Sequence, residues 1–148
     1  MKIHIDLDPA HEELEIVIRT KEMTEDVQHI LKILEGGTIK QIVGIADQQF
    51  YLLEFKEIYW FYSEDRKVFA QTSKGNLEVK HRLYELETSL QREGFVRFSK
   101  STIANIKHVK SFEMSFSGSM CAHFSNGMKE YVSRKYVPLI KEVLNIGG

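Results

Sequence analysis

Hydrophobic and polar residues alternate at the start of the chain, which is the period of a β-strand. Met1–Leu7 places isoleucine or leucine at every second position until Pro9, which cannot donate to a strand ladder. Leu14–Ile18 repeats the alternation. Thr24 is typical of a helix N-cap, because two acids and then apolar residues at helical spacing follow it as far as Gly36-Gly37. The pattern predicts a small strand-strand-helix unit.

The rest of the chain is dominated by short segments rich in β-branched and aromatic residues, separated by polar turns. Helices are predicted at Arg82–Arg92, which has leucines on one face, and after Lys135 as far as Leu144, with Pro138 in the first turn. We therefore predict a mainly β protein (α+β overall), divided into a unit at residues 1–44 and a domain at residues 45–148. The predicted strands of the domain are Lys40–Ile45, Gln49–Leu53, Ile58–Tyr62, Val68–Thr72, Leu77–Val79, Phe95–Phe98, Thr102–Ile106, Val109–Phe116, Met120–Phe124 and Glu130–Val132.

The apolar face of the N-terminal unit needs a covering surface. It can pack on the larger domain of its own chain, or it can pair with a second copy and make a homodimer. The pattern alone leaves both alternatives open.

Composition excludes several classes of protein. The chain has 148 residues, of which 43% are hydrophobic, too many for a disordered protein. No apolar run approaches the roughly 18 residues of a membrane span, and early acids argue against a signal peptide, so we expect a cytoplasmic protein. The lone Cys121 excludes an internal disulfide and a cysteine-cluster zinc site, and its strand position predicts a buried thiol.

No pattern of catalytic or metal-binding residues stands out. The six histidines are scattered without metal-ligand spacing, and the chain has neither a glycine-rich phosphate loop nor a nucleophile elbow. We therefore expect no enzyme activity, no metal site and no cofactor.

Charge is unevenly distributed along the chain. The formal net charge is −1, but residues 1–50 hold five bases and ten acids, and residues 51–148 hold fifteen bases and eleven acids. The two parts are therefore −5 and +4. A basic C-terminal part hints at a polyanionic partner on that side.

Three polar turns carry much of the candidate binding chemistry. They are Arg66-Lys67, Ser99-Lys100-Ser101 and Ser133-Arg134-Lys135. Cations beside hydroxyls on sheet-supported loops suit phosphates and base edges. Ordinary solvated turns have the same composition, so spacing alone leaves both interpretations open.

Several stretches of residues 51–144 follow a known pattern. They are Tyr51-Leu52-Leu53, Ile58–Phe61, Arg82–Glu87, Phe95–Ile106, Phe124–Gly127 and Tyr131–Tyr136. In this order they resemble the LytTR-type (LytR/AlgR) DNA-binding domain. The central stretch is similar to the family signature Phe-x-Arg-x-x-Lys/Arg-Ser-x-x-Val/Ala-Asn. The resemblance covers about two thirds of the chain.

The resemblance implies a fold of small stacked antiparallel sheets, in which loops rather than a recognition helix enter the major groove. By position, it implies a structural role for Asn105 in shaping a loop. The residues that it implies as DNA contacts are Arg66, Lys67, Ser99, Lys100, Ser101, Ser133, Arg134 and Lys135.

The short N-terminal part is similar to that of stand-alone LytTR regulators, which have no receiver domain. The resemblance implies a bacterial, sequence-specific transcription regulator that binds double-stranded DNA as a homodimer and that a membrane protein can inhibit. The alternative is a non-catalytic protein-interaction module of the same fold that has lost DNA binding.

Overall fold

The structure is a computed structural model that describes residues 1–34 and 39–146. These residues form ten strands in two antiparallel sheets and three α-helices, which confirms the mainly β class. The predicted helix stop at Gly36-Gly37 lies outside the described residues. The helices are α1 (Glu25–Leu34), α2 (Leu83–Ser89) and α3 (Val137–Val143). The strands are β1 (Ile42–Ala46), β2 (Gln49–Leu53), β3 (Ile58–Glu64), β4 (Lys67–Thr72), β5 (Gly75–Val79), β6 (Phe95–Ser99), β7 (Thr102–Asn105), β8 (Val109–Met114), β9 (Met120–Phe124) and β10 (Lys129–Val132).

The two sheets share a simple antiparallel topology. One has seven strands in the order β2-β1-β5-β4-β3-β7-β6, and the other has three in the order β10-β9-β8. Short turns connect β3 to β4, β6 to β7, β8 to β9 and β9 to β10, so their tips fall at the sheet ends. Loops of this kind, carried by a rigid sheet, are common positions for binding residues.

Strand β3 is buried on both faces, which explains its dense aromatic sequence. Phe61 packs against Phe95, with ring centroids 5.3 Å apart, in a core that also contains the leucines of α2. Trp60, on the opposite face, lies 5.0 Å from Phe124, in a second core between the sheets that also contains Ile140 of α3. The predicted stacking of small sheets is therefore confirmed.

Helix α2 is shorter than the predicted Arg82–Arg92 helix. Leu90 leaves the helical conformation at φ −107°, and a 3₁₀ turn at Gln91–Glu93 follows it. Gly94 then adopts the left-handed conformation at φ 95°, which suits glycine. The break turns Leu90 into the core, where it is fully buried.

The N-terminal unit differs from the prediction. Its helix forms, and the Val27 backbone N–H donates to the Thr24 hydroxyl at 3.3 Å as in an N-cap. The predicted strands Met1–Leu7 and Leu14–Ile18 are wrong, and residues 1–24 contain no strand in this structure. Ile5 stays 79% exposed. A lone two-stranded hairpin is marginal in water, and neither sheet formed by the described residues includes residues 1–24.

Candidate nucleic-acid interface

Three turns that carry cations lie side by side at one end of the stacked sheets. The Ser63 backbone N–H donates to the Ser101 carbonyl oxygen at 2.9 Å, which joins the end of β3 to the β6–β7 turn. The Ser133 backbone N–H donates to the Phe98 carbonyl oxygen, also at 2.9 Å, which joins the segment after β10 to β6. Residues 64–67, 99–101 and 133–135 thus form one surface, called the loop surface below.

Arg66 occupies the tip of the β3–β4 turn. Asp65 and Arg66 have left-handed backbone conformations, with φ values of 50° and 64°, as in a two-residue type I′ hairpin turn. Lys67 pairs with Glu64 and begins β4. The side chains of Arg66 and Lys67 are both exposed, and the two acids of the turn partly offset their charge.

The Arg97 side chain holds the β6–β7 turn in place. Its Nη1 donates to the Lys100 carbonyl oxygen at 2.9 Å, and its Nε lies 3.2 Å from the Glu87 carboxylate. The Arg97 side chain is only 11% exposed, so it belongs to the scaffold, whereas Lys100 projects into solvent. Sequence reasoning gave Arg97 no role, although its place in the family signature was an available signal.

The segment after β10 presents Arg134 at the start of a 3₁₀ turn, Arg134–Tyr136. A methyl group added at Gly118 in the β8–β9 turn would lie 3.3 Å from Arg134 Cδ, so the arginine stem passes directly over this glycine. Lys135 Nζ lies 5.6 Å from the centroid of the Tyr136 ring, within cation–π range. The β8–β9 turn therefore supports the Arg134 side chain, and the neighbouring Tyr136 ring supports that of Lys135.

The three serines of the loop surface differ in accessibility. Ser101 and Ser133 are exposed, and Ser99 is half-buried. The Ser99 hydroxyl accepts the Ser101 backbone N–H at 3.2 Å, and the Ser133 hydroxyl lies 3.5 Å from the Phe98 carbonyl oxygen. These bonds shape the turns and leave further hydroxyl capacity facing solvent at Ser101 and Ser133.

The cations of the loop surface are available for an external anion. Within residues 1–34 and 39–146, those that form no ion pair are Arg66, Lys67, Lys100, Arg134 and Lys135. Elsewhere in the described residues Lys56, Lys80 and Arg97 form ion pairs with glutamates, and the exposed Lys110 and Arg92 form none. The loop surface therefore differs from the rest of the chain by the clustering of its cations. Exposed unpaired cations can neutralise phosphates and displace counterions without first breaking an internal bond.

A fourth turn, at Ser115–Ser119 between β8 and β9, also joins the loop surface through its contact with Arg134. The hydroxyls of Ser115 and Ser119 lie 2.7 Å apart, and Ser117 lies within 3.1 Å of both. The sequence predicted a turn here but no binding role, because the turn contains no cation; strand β8 ends at Met114 and not at the predicted Phe116. Its run of alternating serines was the signal that could have found it.

Comparison with known proteins identifies the domain. The family model of the LytTr DNA-binding domain matches residues 48–145.

The chain belongs to the LytTR family.

Relatives match beyond the domain. The chain is 29% identical over 147 residues to an uncharacterized HTH-type transcriptional regulator of Staphylococcus aureus (strain NCTC 8325 / PS 47), a match that covers 99% of both chains. The corresponding protein of strain MRSA252 is 28% identical over the same length. The solved LytTr DNA-binding domain of a putative methyl-accepting/DNA response regulator from Bacillus cereus matches with a TM-score of 0.68 and 20% identity, covering 72% of this chain and 99% of that one. This last likeness shows the fold.

The words "HTH-type" in the relatives' names do not describe this LytTR fold. In the part of the chain that the structure describes, α1, α2 and α3 are separated from one another by strands, so no two of them form a helix-turn-helix pair. Helices α2 and α3 each bury an apolar side in the cores. The loop surface, by contrast, brings exposed cations from three turns together.

A cavity of about 300 Å³ opens beside the loop surface of the LytTR domain, between Tyr62, Ser101 and Glu130. Burial raises the pKa of the Glu130 carboxyl, and the Tyr131 backbone N–H lowers it in part. Burial and the nearby Glu64 carboxylate raise the pKa of Tyr62 above its ordinary value, and the hydroxyl is protonated at neutral pH with or without this shift. The cavity therefore supplies a phenol donor next to Ser101.

Asn105 has the structural role that the family resemblance implied. Its side chain is buried, and its Nδ2 donates to the Ile58 carbonyl oxygen at 3.2 Å and to that of Phe55 at 3.4 Å. Its Oδ1 accepts the Lys107 backbone N–H at 3.1 Å. One amide thus ties the end of β7 to the start of β3.

Other chemistry finds little support in the residues described. None of their histidines, cysteines and acids form a group of three that could hold a metal ion. Cys121 is buried, as predicted. None of the described helices has the length and apolar character needed to cross a membrane.

Proposed function

We propose that this protein is a sequence-specific bacterial transcription regulator that acts in the cytoplasm and binds double-stranded DNA through its loop surface. The observation that carries the proposal is that three cationic turns lie together at one end of the stacked sheets. The matching family model describes a DNA-binding domain, and the staphylococcal relatives are named transcriptional regulators. Because the free cations lie on turns, we infer that turns rather than a helix enter the major groove.

The side chains of the loop surface divide by chemistry. Arginine can donate to guanine O6 and N7 together, so we assign base-edge contacts to Arg66 and Arg134. A lysine ammonium is a point charge suited to phosphate. We assign phosphate contacts to Lys67, Lys100 and Lys135, and to the hydroxyls of Ser99, Ser101 and Ser133.

Replacing Lys100 by alanine should change the salt dependence of DNA binding. If its ammonium neutralises one phosphate, the slope of log affinity against log salt should fall by about one unit. Fluorescence anisotropy titrations at several salt concentrations would measure the slope. Lys110→Ala is the matched control, because Lys110 is exposed on β8 outside the loop surface. An unchanged slope for Lys100→Ala would remove Lys100 from the contacts.

Replacing Gly118 by alanine should weaken DNA binding through Arg134. The added methyl group would lie 3.3 Å from Arg134 Cδ and displace its stem. Gly127→Ala is the matched control, because both glycines have φ 87° and Gly127 has open space around it. Both variants should lose about 1–2 kcal/mol of stability from the left-handed backbone. A several-fold loss of DNA affinity should appear only in Gly118→Ala, and equal affinities would contradict the contact.

The N-terminal unit supports a homodimer. In the single chain helix α1 packs on the domain, since Val27 is buried and the Tyr84 hydroxyl lies 3.5 Å from His29 Nε2. Most apolar side chains of residues 1–24 stay uncovered, with Ile3 76%, Leu14 94% and Ile16 59% exposed. Clusters of exposed apolar side chains mark interaction surfaces, so we propose that a second copy covers them. Light scattering should give twice the chain mass for the full protein and the single mass for Ile16→Lys. A monomeric wild-type protein would exclude this role. Inhibition of this regulator by a membrane protein stays a prediction.

A further inference from the structure

Phe116 has the most exposed large apolar side chain among the described residues, at 114% of its reference area. It lies in the Ser115–Ser119 turn, between the exposed Ser115 and Ser117. The proposed contacts of the three cationic turns give it no role.

The backbone beneath Phe116 is fixed. The Ser115 N–H donates to the Ser119 carbonyl oxygen at 2.9 Å, and the Gly118 N–H donates to the Ser115 carbonyl oxygen at 3.2 Å. The Ser115 hydroxyl accepts or donates a further bond of 2.7 Å with that of Ser119. The turn therefore holds the phenyl ring outward on a short, closed loop, which lowers the entropy lost on binding.

The turn that carries Phe116 also lies beside the proposed base-reading arginine. Gly118, two residues along the same turn, is in contact range of the Arg134 stem. The turn itself is otherwise made of serines and a glycine, and the loop surface that it adjoins carries exposed cations. This polar, cationic setting fits DNA better than it fits an apolar protein surface.

The major groove presents one apolar group to a protein, the C5 methyl of thymine, and a phenyl ring can pack against it. We propose that Phe116 contacts a thymine methyl next to the base pair that Arg134 reads, and so determines specificity at that position. This inference rests on the proposed function, since it requires that the loop surface meets the major groove.

Uracil substitution tests the contact, because deoxyuridine lacks only this methyl group. The full-length protein is first used to select bound sequences from a random DNA pool, and each thymine of the selected site is then replaced singly by uracil. Uracil at one particular thymine should lower wild-type affinity about fourfold, which is the effect expected from losing one buried methyl group. Phe116→Ser should bind the unmodified site about tenfold more weakly and be insensitive to uracil at that thymine.

Phe50→Ser is the matched control, because Phe50 is 75% exposed on β2, away from the loop surface. It should behave as the wild type in affinity and in uracil sensitivity. The inference is overturned if Phe116→Ser keeps wild-type affinity, if every uracil cost persists in that variant, or if the selected site has no thymine. If the wild type selects no sequence at all, the proposed function fails as well, which separates the two outcomes.

Discussion

Replacing Arg134 by alanine is expected to weaken binding to the cognate DNA site by about 1–3 kcal/mol, which is roughly ten- to a hundredfold. Arg134 is exposed, has no ion pair among the described residues, and has its stem supported by Gly118. Its removal deletes a two-pronged donor that no neighbour can replace. Gel-shift titration against the cognate site and against a site altered at one base pair would measure both affinity and discrimination.

Arg92→Ala is the matched control for that measurement. Arg92 is also exposed, but it precedes β6, at the opposite end of that strand from the Ser99–Ser101 turn. The same loss of one charge should there leave specific affinity nearly unchanged. If both variants lost the same affinity for the cognate site, the effect of Arg134→Ala would come from net charge alone. That result would contradict a base-edge contact.

Replacing Asn105 by alanine is expected to lower the free energy of unfolding by about 3 kcal/mol, since each buried polar group left unpaired costs about 1–3 kcal/mol. The Ile58 carbonyl oxygen and the Lys107 N–H would both lose the Asn105 amide, whereas the Phe55 carbonyl oxygen would keep the Ile58 N–H. Urea unfolding with linear extrapolation would measure the loss.

Asn126→Ala provides the comparison for Asn105. Asn126 is exposed, and its Oδ1 accepts the Met128 backbone N–H at 3.0 Å. Its loss should cost no more than about 1 kcal/mol, because water can replace the bond. A loss in Asn105→Ala no larger than that in Asn126→Ala would show that the buried amide does not tie β7 to β3.

Much of the fold could be predicted because local pattern and tertiary environment agree in residues 40–132. The aromatic run Ile58–Tyr62 predicted a strand, and the structure buries that strand on both faces, with Phe61 and Trp60 in separate cores. The N-terminal strands show the limit of this reasoning. Alternation at Met1–Leu7 specifies a strand only where another strand offers an edge, and the single chain offers none there.

The candidate site was predicted only in part, for a related reason. Exposed cations such as Lys100 stand out in a sequence because they sit in polar turns. Their convergence depends on backbone bonds between distant turns, such as that of Ser133 to Phe98, which no local pattern contains. The family signature contained Arg97 but gave no indication of its partner, and the bond to Glu87 in the structure identifies it as scaffold.

The most direct test of the account is selection of bound sequences from a random double-stranded DNA pool by the full-length protein. We expect enrichment of one short motif, arranged as a direct repeat or an imperfect palindrome. Repeated rounds that enrich no motif would contradict sequence-specific DNA binding and favour a protein-interaction module of the same fold.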